Sequence, residues 1–171
     1  STLSPSSAAS DVYKRQALVS SNGRMVKFIE NEVRIMGRSA SGVKGIELED
    51  AYCIDAGIAT DDKEVLVVTD NGYGKRTVMN EYRTTHRGSK GVKALNSTDK
   101  TGNIVAFKLV TSDEDLIIIT NSGMVIRIPI SQISLMSRVT QGVRLISLKD
   151  NQKVTSVFNI PHIENDADKA E

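Results

Sequence analysis

Three segments of the chain share one arrangement of apolar, turn and basic positions. In each, an apolar β-branched run ends in a turn glycine, at Gly23, Gly72 and Gly123. A Ser or Thr precedes this glycine by three residues, a basic residue follows it by four and an Arg by fifteen. A second glycine follows by nineteen and is itself followed by Val and a base. The turn glycines lie 49 and 51 residues apart, a length typical of a four-stranded propeller blade.

The local pattern within each repeat predicts strands. Asn22-Gly23 and Asn71-Gly72 stand between apolar runs, and Asn-Gly in this context is a strong hairpin signal because both turn residues need positive φ. Further β-like runs are residues 43–48, 143–148, 54–59, 104–109 and 154–158. Residues 31–36 or 131–136 have room for one helical turn. The sequence therefore predicts an all-β, propeller-like fold of about three blades, at about 17–60, 61–112 and 113–160.

The ends of the chain differ in composition from the repeats. Residues 1–16 are rich in Ser and Ala and have no hydrophobic period, so we interpret them as a disordered leader or an artefact. Residues 161–171 are predicted to form an acidic disordered tail.

Overall composition limits the class of protein. The chain is 39% hydrophobic and 25% charged, as is usual for soluble globular proteins. No apolar run approaches the length of a membrane span, and the N-terminus lacks a signal-peptide pattern. With Cys53 as its single cysteine the chain has no internal disulfide. We therefore expect a cytoplasmic protein with no membrane partner.

The charges are sorted by repeat position although the net charge is only +1. Windows 23–44, 72–93 and 123–144 hold fourteen Lys or Arg against three Asp or Glu, whereas the rest of 17–160 holds five against thirteen. Equivalent positions of a repeat face the same way, so the windows predict a curved basic stripe. The stripe has few aromatic residues, which favours duplex phosphates over stacked single-stranded bases.

Two sets of basic residues are candidates for contact with double-stranded DNA. The stronger candidates are Lys27, Lys44, Lys75, Arg76, Lys90, Lys93, Arg127 and Arg144. The repeated arginines Arg38, Arg87 and Arg138 have two interpretations, because a guanidinium can bind phosphate or brace its own blade through backbone carbonyls.

Catalytic and cofactor sites are not indicated. Cys53 with His86 or His162 is the available nucleophile and base, but Cys53 stands in an apolar run that favours a buried structural thiol. One Cys and two His are too few for a usual zinc site, and Gly74-Lys75-Arg76 lacks the rest of a phosphate-binding loop. We expect no catalytic residue, metal or cofactor in this chain; a hydrolase dependent on Cys53 is the minor alternative.

Two stretches carry a resemblance to a known family. Residues 36–46, MGRSASGVKGI, and 69–76, TDNGYGKR, resemble the C-terminal domain of DNA gyrase A, over about residues 17–160. The resemblance implies the last three blades of a β-pinwheel whose neighbours exchange strands and whose positive perimeter wraps DNA for ATP-dependent negative supercoiling. It also implies the partners, namely the rest of gyrase A and the gyrase B protein in a heterotetramer, with ATP and Mg bound elsewhere in that complex. The location it implies is the bacterial cytoplasm, at the nucleoid.

The chain departs from this family at one motif. The family's signature box, Q-R-R-G-G-K-G, has only a partial counterpart in Arg87-Gly88-Ser89-Lys90-Gly91. We therefore expect DNA contact more firmly than full wrapping by these blades. The related domain of topoisomerase IV and a propeller-like module that binds an acidic protein remain alternatives.

Overall fold

The computed structural model describes residues 14–163, and its regular structure is almost entirely antiparallel β-sheet. The strands are β1 (Arg15–Ser20), β2 (Arg24–Ile29), β3 (Cys53–Ile58), β4 (Glu64–Thr69), β5 (Tyr73–Val78), β6 (Val92–Lys93), β7 (Ile104–Val110), β8 (Glu114–Thr120), β9 (Val125–Pro129), β10 (Val143–Arg144) and β11 (Val154–Pro161). Single 3-10 turns follow β2, β5 and β9, at Glu30–Glu32, Met79–Glu81 and Ile130–Gln132. The predicted all-β class is confirmed.

Each repeat begins as a hairpin with a third strand beside it. β1 pairs with β2 and with β3, β4 with β5 and β7, and β8 with β9 and β11. Gly23, Gly72 and Gly123 have φ of 77°, 82° and 79°, whereas Asn22 and Asn71 do not have positive φ. The expectation of positive φ at both residues of the Asn-Gly turns is therefore wrong for the asparagines. A side chain is strained in the left-handed region that these glycines adopt, which is why glycine closes all three hairpins.

The outer strand of a blade comes from the following repeat. β6 pairs with β2 through Arg24 opposite Lys93, and β10 pairs with β5 through Tyr73 opposite Arg144. This exchange makes the fold a β-pinwheel, as expected. The prediction that runs 43–48 and 143–148 each add a strand to their own blade is wrong. Residues 143–144 of the second run form β10, which completes the sheet of the preceding blade, and residues 43–48 form no strand.

Two hydrophobic clusters hold the three blades together through the middle one. Along β4, Val65 and Val67 belong to the cluster that also holds Met25. Leu66 and Val68 belong to the cluster with Ile118. Successive side chains of a strand point to opposite faces, so β4 is buried on both sides and reads as a continuous apolar run.

Several predicted boundaries shift in the structure. β1 begins at Arg15, inside the predicted leader, because residues 15–16 pair with β2. β11 runs to Pro161, the first residue of the predicted tail, since Pro161 still pairs with Glu114. The 3-10 turns at Glu30–Glu32 and Ile130–Gln132 each begin one residue before the segments 31–36 and 131–136 that were predicted to form a helical turn. Within residues 14–163 no helix is long and apolar enough to cross a membrane. The rest of the leader, residues 1–13, and residues 164–171 lie outside the described part.

Candidate nucleic-acid interface

The base that follows the second glycine lies on the surface in all three repeats. These residues are Lys44, Lys93 and Arg144, and each is exposed. β6 sets Lys93 opposite Arg24 of the first repeat, and β10 sets Arg144 opposite Tyr73 of the second. The exchanged strands therefore hold Lys93 and Arg144 at equivalent places where one blade meets the next, and Lys44 is exposed at the same position of the first repeat. We call Lys44, Lys93 and Arg144 the rim bases.

Tyr73 gathers two cations at the junction of the second and third blades. The Arg144 guanidinium carbon lies 5.7 Å from the ring centroid and Lys100 Nζ lies 5.8 Å from it. Arg144 Nη2 also donates to the Tyr73 hydroxyl at 3.2 Å, and this bond lowers the pKa of the phenol. An aromatic face attracts cations within about 6 Å. The Tyr73 ring therefore holds the positive charges of Arg144 and Lys100 close to each other at this junction.

Sequence reasoning missed Arg24 and Lys100 as members of this surface. Arg24 has Tyr73 and Met124 at its equivalent positions, so the repeat pattern carried no signal for it. Lys100 lies outside the basic windows and reaches the surface through the loop before β7. A charge count by window includes Arg24 without distinguishing it and leaves out Lys100. The pairing of β2 with β6 sets Arg24 opposite Lys93, and the Tyr73 ring holds Lys100 near Arg144.

Lys44 and Lys90 are exposed and form ion pairs with nearby acids. Lys44 binds Glu47, whose pKa is lowered chiefly by the hydrogen bond from the lysine, and Lys90 binds Glu49. Exposed pairs of this kind contribute little to stability, so both ammonium groups can exchange a carboxylate for a phosphate at low cost.

Two of the three repeated arginines brace neighbouring blades. Arg87 Nε donates to the Glu32 carbonyl oxygen at 2.9 Å and its Nη1 to that of Lys44 at 3.1 Å. Arg138 Nη1 donates in the same way to the carbonyl oxygen of Lys93. Of the two interpretations of these arginines, the contacts favour bracing. Arg38 is exposed, and no such contact forms for it within the described residues.

Lys27 and Arg76 are corrections to the predicted DNA contacts, because both are buried. Lys27 Nζ donates to the Met79 carbonyl oxygen at 3.2 Å, and burial is the main cause that lowers its pKa. Arg76 binds Glu64 at 2.6 Å through Nη1 and the Ile133 carbonyl oxygen at 2.8 Å through Nε. These cations tie each second strand to the next blade and are out of reach of a phosphate.

Lys75 is the third correction, and its side chain is 0% exposed. Its Nζ donates to the carbonyl oxygens of Ser137 at 2.8 Å and Thr140 at 3.1 Å, and to the Thr140 hydroxyl at 3.2 Å. It also donates to the Arg138 carbonyl oxygen. Burial lowers the pKa of Lys75 to about 8. The ammonium thus holds the loop of the third repeat that carries Arg138.

Arg127 is exposed like the rim bases but is also bonded to a buried carboxylate. Its Nε donates to Asp115 Oδ2 at 2.6 Å. His162 Nδ1 lies 2.8 Å from the other oxygen of this buried carboxylate. Burial raises the pKa of Asp115, but the hydrogen bonds with His162 and Arg127 outweigh it and keep the pKa below its usual range.

The predicted burial of Cys53 is wrong. Its thiol is exposed, with Sγ 3.5 Å from the Asp55 carbonyl oxygen. The apolar run ends at a register shift between β1 and β3, which leaves the first residue of β3 outside the core. His86 pairs with Glu32 at 3.4 Å and His162 with Asp115, so each histidine has a carboxylate rather than this thiol as its partner.

A family model matches the three repeats in order. It is described as the DNA gyrase C-terminal domain, beta-propeller, and it matches residues 17–59, 63–111 and 114–161.

Curated relatives resemble the chain over most of its length. The DNA gyrase A protein of Ureaplasma parvum serovar 3 is 49% identical over 138 residues, which are 80% of this chain and 16% of the relative. The DNA gyrase A protein of Staphylococcus aureus is 45% identical over 152 residues, 87% of this chain and 17% of the relative. The chain thus spans about a sixth of the length of these relatives.

Solved structures share the fold. The C-terminal domain of DNA topoisomerase IV superposes with a TM-score of 0.79 at 27% identity, covering 88% of this chain and 48% of that one. The DNA gyrase A C-terminal domain superposes with a TM-score of 0.75 at 24% identity, covering 86% and 51%.

Proposed function

Since the chain belongs to the DNA gyrase C-terminal domain family, we propose that it is a non-catalytic module that binds double-stranded DNA and contributes to its wrapping. The observation that carries the proposal is the series of rim bases at equivalent positions of successive blades. Phosphates recur regularly along a duplex, and exposed cations that recur once per blade suit contact with its backbone.

The proposed contact set follows from exposure and partners. It comprises the exposed rim bases, Lys90, Lys100 and Arg127, together with the half-buried Arg24, whose Nη1 donates to the Gly91 carbonyl oxygen at 3.4 Å. Recognition through these side chains goes to the backbone, so sequence preference is weak and comes from the ease of bending the duplex.

We place this module in a type II topoisomerase of the gyrase kind. The matching family model is that of the DNA gyrase C-terminal domain, and the curated relatives at 45–49% identity are gyrase A proteins, which favours gyrase over topoisomerase IV. The remainder of gyrase A and the gyrase B protein would complete a heterotetramer in the bacterial cytoplasm, at the nucleoid. ATP and Mg would bind those other parts, and the rim would guide duplex for negative supercoiling with no cofactor of its own.

A duplex titration at several salt concentrations tests DNA binding. Each neutralised phosphate contributes about −0.9 to the slope of log affinity against log salt. The seven proposed contacts would therefore give a slope of roughly −6. A flat salt response would contradict the proposal. Tight binding of an acidic protein that duplex DNA fails to displace would favour the protein-interaction alternative.

Wrapping needs a separate measurement, because binding alone does not bend DNA through a full turn. Closed circular plasmid relaxed in the presence of the chain, and then freed of protein, retains supercoils if the path was wrapped. We expect fewer trapped supercoils per bound molecule than a domain carrying the full signature box would give. Binding without any trapped supercoils would limit these blades to DNA contact.

A further inference from the structure

A cleft of about 540 Å³ lies between the first two blades. The first blade lines it with Ile29 and Glu32, at the end of β2 and in the turn that follows. The second blade lines it with the loop before β6, which contributes the basic residues Arg83, His86 and Lys90. Among the described residues of the lining, Glu32 is the one acid. The cleft therefore has an excess of positive charge.

These three basic residues are not part of the repeated pattern. The corresponding residues of the third repeat are Ser134, Ser137 and Gln141, and those of the first are Arg34, Gly37 and Ser41. The two junctions nevertheless form with the same backbone bonds. The N–H of Ala94 donates to the Gly23 carbonyl oxygen and that of Leu145 to the Gly72 carbonyl oxygen, each at 2.8 Å. The packing of one blade on the next therefore does not require the three cations.

Glu32 holds one ring nitrogen of His86 and leaves the other open. His86 Nδ1 lies 3.4 Å from Glu32 Oε1, and the second oxygen of this carboxylate accepts the backbone N–H of Arg87 at 3.0 Å. The His86 side chain is 93% exposed, so its Nε2 is accessible to a ligand. Both nitrogens of a charged imidazole are donors. The charged ring can therefore donate to Glu32 and to an anion at the same time.

Arg83 and Lys90 supply permanent charge to the same cleft. Arg83 is exposed and forms no ion pair within residues 14–163. Lys90 pairs with Glu49, but both side chains are about half exposed, so the ammonium can exchange this carboxylate for another anion at low cost. Guanidinium and ammonium groups are the usual protein partners of phosphate oxygens.

We propose that this cleft binds a phosphate group, with Arg83 and Lys90 as permanent charges and His86 as a ligand that takes up a proton from water on binding. The phosphate comes from a duplex backbone, in which case the inference rests on the proposed function, or from a free phosphate in solution. Histidine side chains change charge between about pH 5 and 8, so binding strengthens as the pH falls through this range. Glu32 favours the charged ring, whereas Arg83, Arg87 and Lys90 disfavour it until an anion enters. Protonation and phosphate binding therefore favour each other.

Histidine ring NMR at a fixed pH of about 7 tests the site, because neutral and charged imidazoles both contribute there. Inorganic phosphate, compared with sodium chloride at equal ionic strength, or a short duplex should move the His86 ring signals toward those of the charged ring. The chain's other histidine, His162, lies outside the cleft and should move less. Arg83→Gln should reduce the response of His86. Lys149→Gln removes an exposed lysine outside the cleft and should preserve that response.

The two ligands identify the source of the phosphate. A response to the duplex but not to inorganic phosphate assigns the site to the DNA backbone, and a response to inorganic phosphate shows that a free phosphate suffices. His86 signals that move no more than those of His162 with either ligand would overturn the inference.

Duplex titrations at two pH values keep this inference separate from the proposed function. When the backbone supplies the phosphate, the slope of log affinity against log salt concentration should be steeper at about pH 6 than at about pH 7.5, by about 0.9 at most. His86→Gln should remove this difference. Duplex binding that depends on salt but not on pH, together with His86 signals that do not respond to inorganic phosphate, would overturn the inference and leave the proposed function standing. A chain that binds no duplex at any pH would contradict the proposed function, while the response to inorganic phosphate still decides the site.

Discussion

Arg138 donates from its guanidinium to the backbone carbonyl oxygen of Lys93, while the ammonium of Lys93 itself is exposed. Arg87 has the same relationship to Lys44 across the preceding junction. The two repeated bases of the motif therefore have different tasks: the arginine joins blades, and the base after the second glycine faces outward. Substitutions should separate stability from DNA affinity.

Arg138→Ala should lower the free energy of unfolding by about 1.5 kcal/mol, the low end of the usual contribution of a hydrogen bond from a charged donor, because this bond is exposed. Urea denaturation measures this loss. The slope of duplex affinity against salt should change little, because the guanidinium is engaged with backbone. A loss of slope without a loss of stability would assign Arg138 to DNA instead.

Lys93→Gln should have the opposite effects. Its side chain is exposed, so the unfolding free energy should stay within about 0.5 kcal/mol of the parent chain. The slope of log duplex affinity against log salt concentration should become less steep by about 0.9 if Lys93 neutralises one phosphate. The same titration and denaturation series, run beside Arg138→Ala, provides the comparison, and an unchanged slope would remove Lys93 from the interface.

Lys75 should make stability rise with pH. Its pKa is about 8 in the folded chain, below the ordinary value near 10.5, so between these pH values the unfolded chain holds a proton that the folded chain has lost. The unfolding free energy then increases with pH by at most about 1.4 kcal/mol per unit, and below pH 8 the contribution is constant. The lowered pKa of Lys27 acts in the same direction.

Lys75→Met identifies the source of this dependence. The equivalent residues Val26 and Ile126 are apolar, so the position accepts such a side chain. Denaturation from about pH 7 to about pH 10 should show a flatter rise in the variant than in the parent chain. Parallel curves would place the titration elsewhere.

Glu64→Ala should be strongly destabilising. It leaves the buried Arg76 guanidinium without its carboxylate and should lower the free energy of unfolding by about 2 to 3 kcal/mol. This loss is smaller than for a fully buried ion pair because both side chains of this pair are partly exposed. Glu47→Ala is the control, since it breaks the exposed pair with Lys44 and should have a much smaller effect. Thermal melts of both variants check the ranking, and similar losses would mean that burial does not distinguish the pairs.

Tyr73→Ala should weaken duplex binding by about two- to fivefold, because it removes the face that gathers Arg144 and Lys100. The salt slope should remain nearly constant because both charges stay. Tyr73→Phe keeps the ring and should bind nearly as well as the parent chain. Equal losses in both variants would assign the effect to the hydroxyl, which accepts from Arg144.

The local architecture could be predicted from residues near one another in the chain. Asn-Gly turns, alternating or continuous apolar runs and a repeat of about fifty residues are short-range signals. Gly23, Gly72 and Gly123 close hairpins because their φ values exclude most other residues. The all-β class and the existence of three repeats therefore followed from composition and spacing.

The side on which each cation faces could not be predicted in this way. Lys27, Lys75 and Arg76 stand in the basic windows, as Lys93 and Arg144 do, yet the first three are buried against the next blade. Burial at these positions depends on strand exchange, which brings together residues about 50 to 70 apart, such as Lys27 with Met79 and Arg24 with Lys93. A basic window specifies charge, and only the packing of one blade on the next decides whether water and phosphate, or backbone carbonyls, surround it.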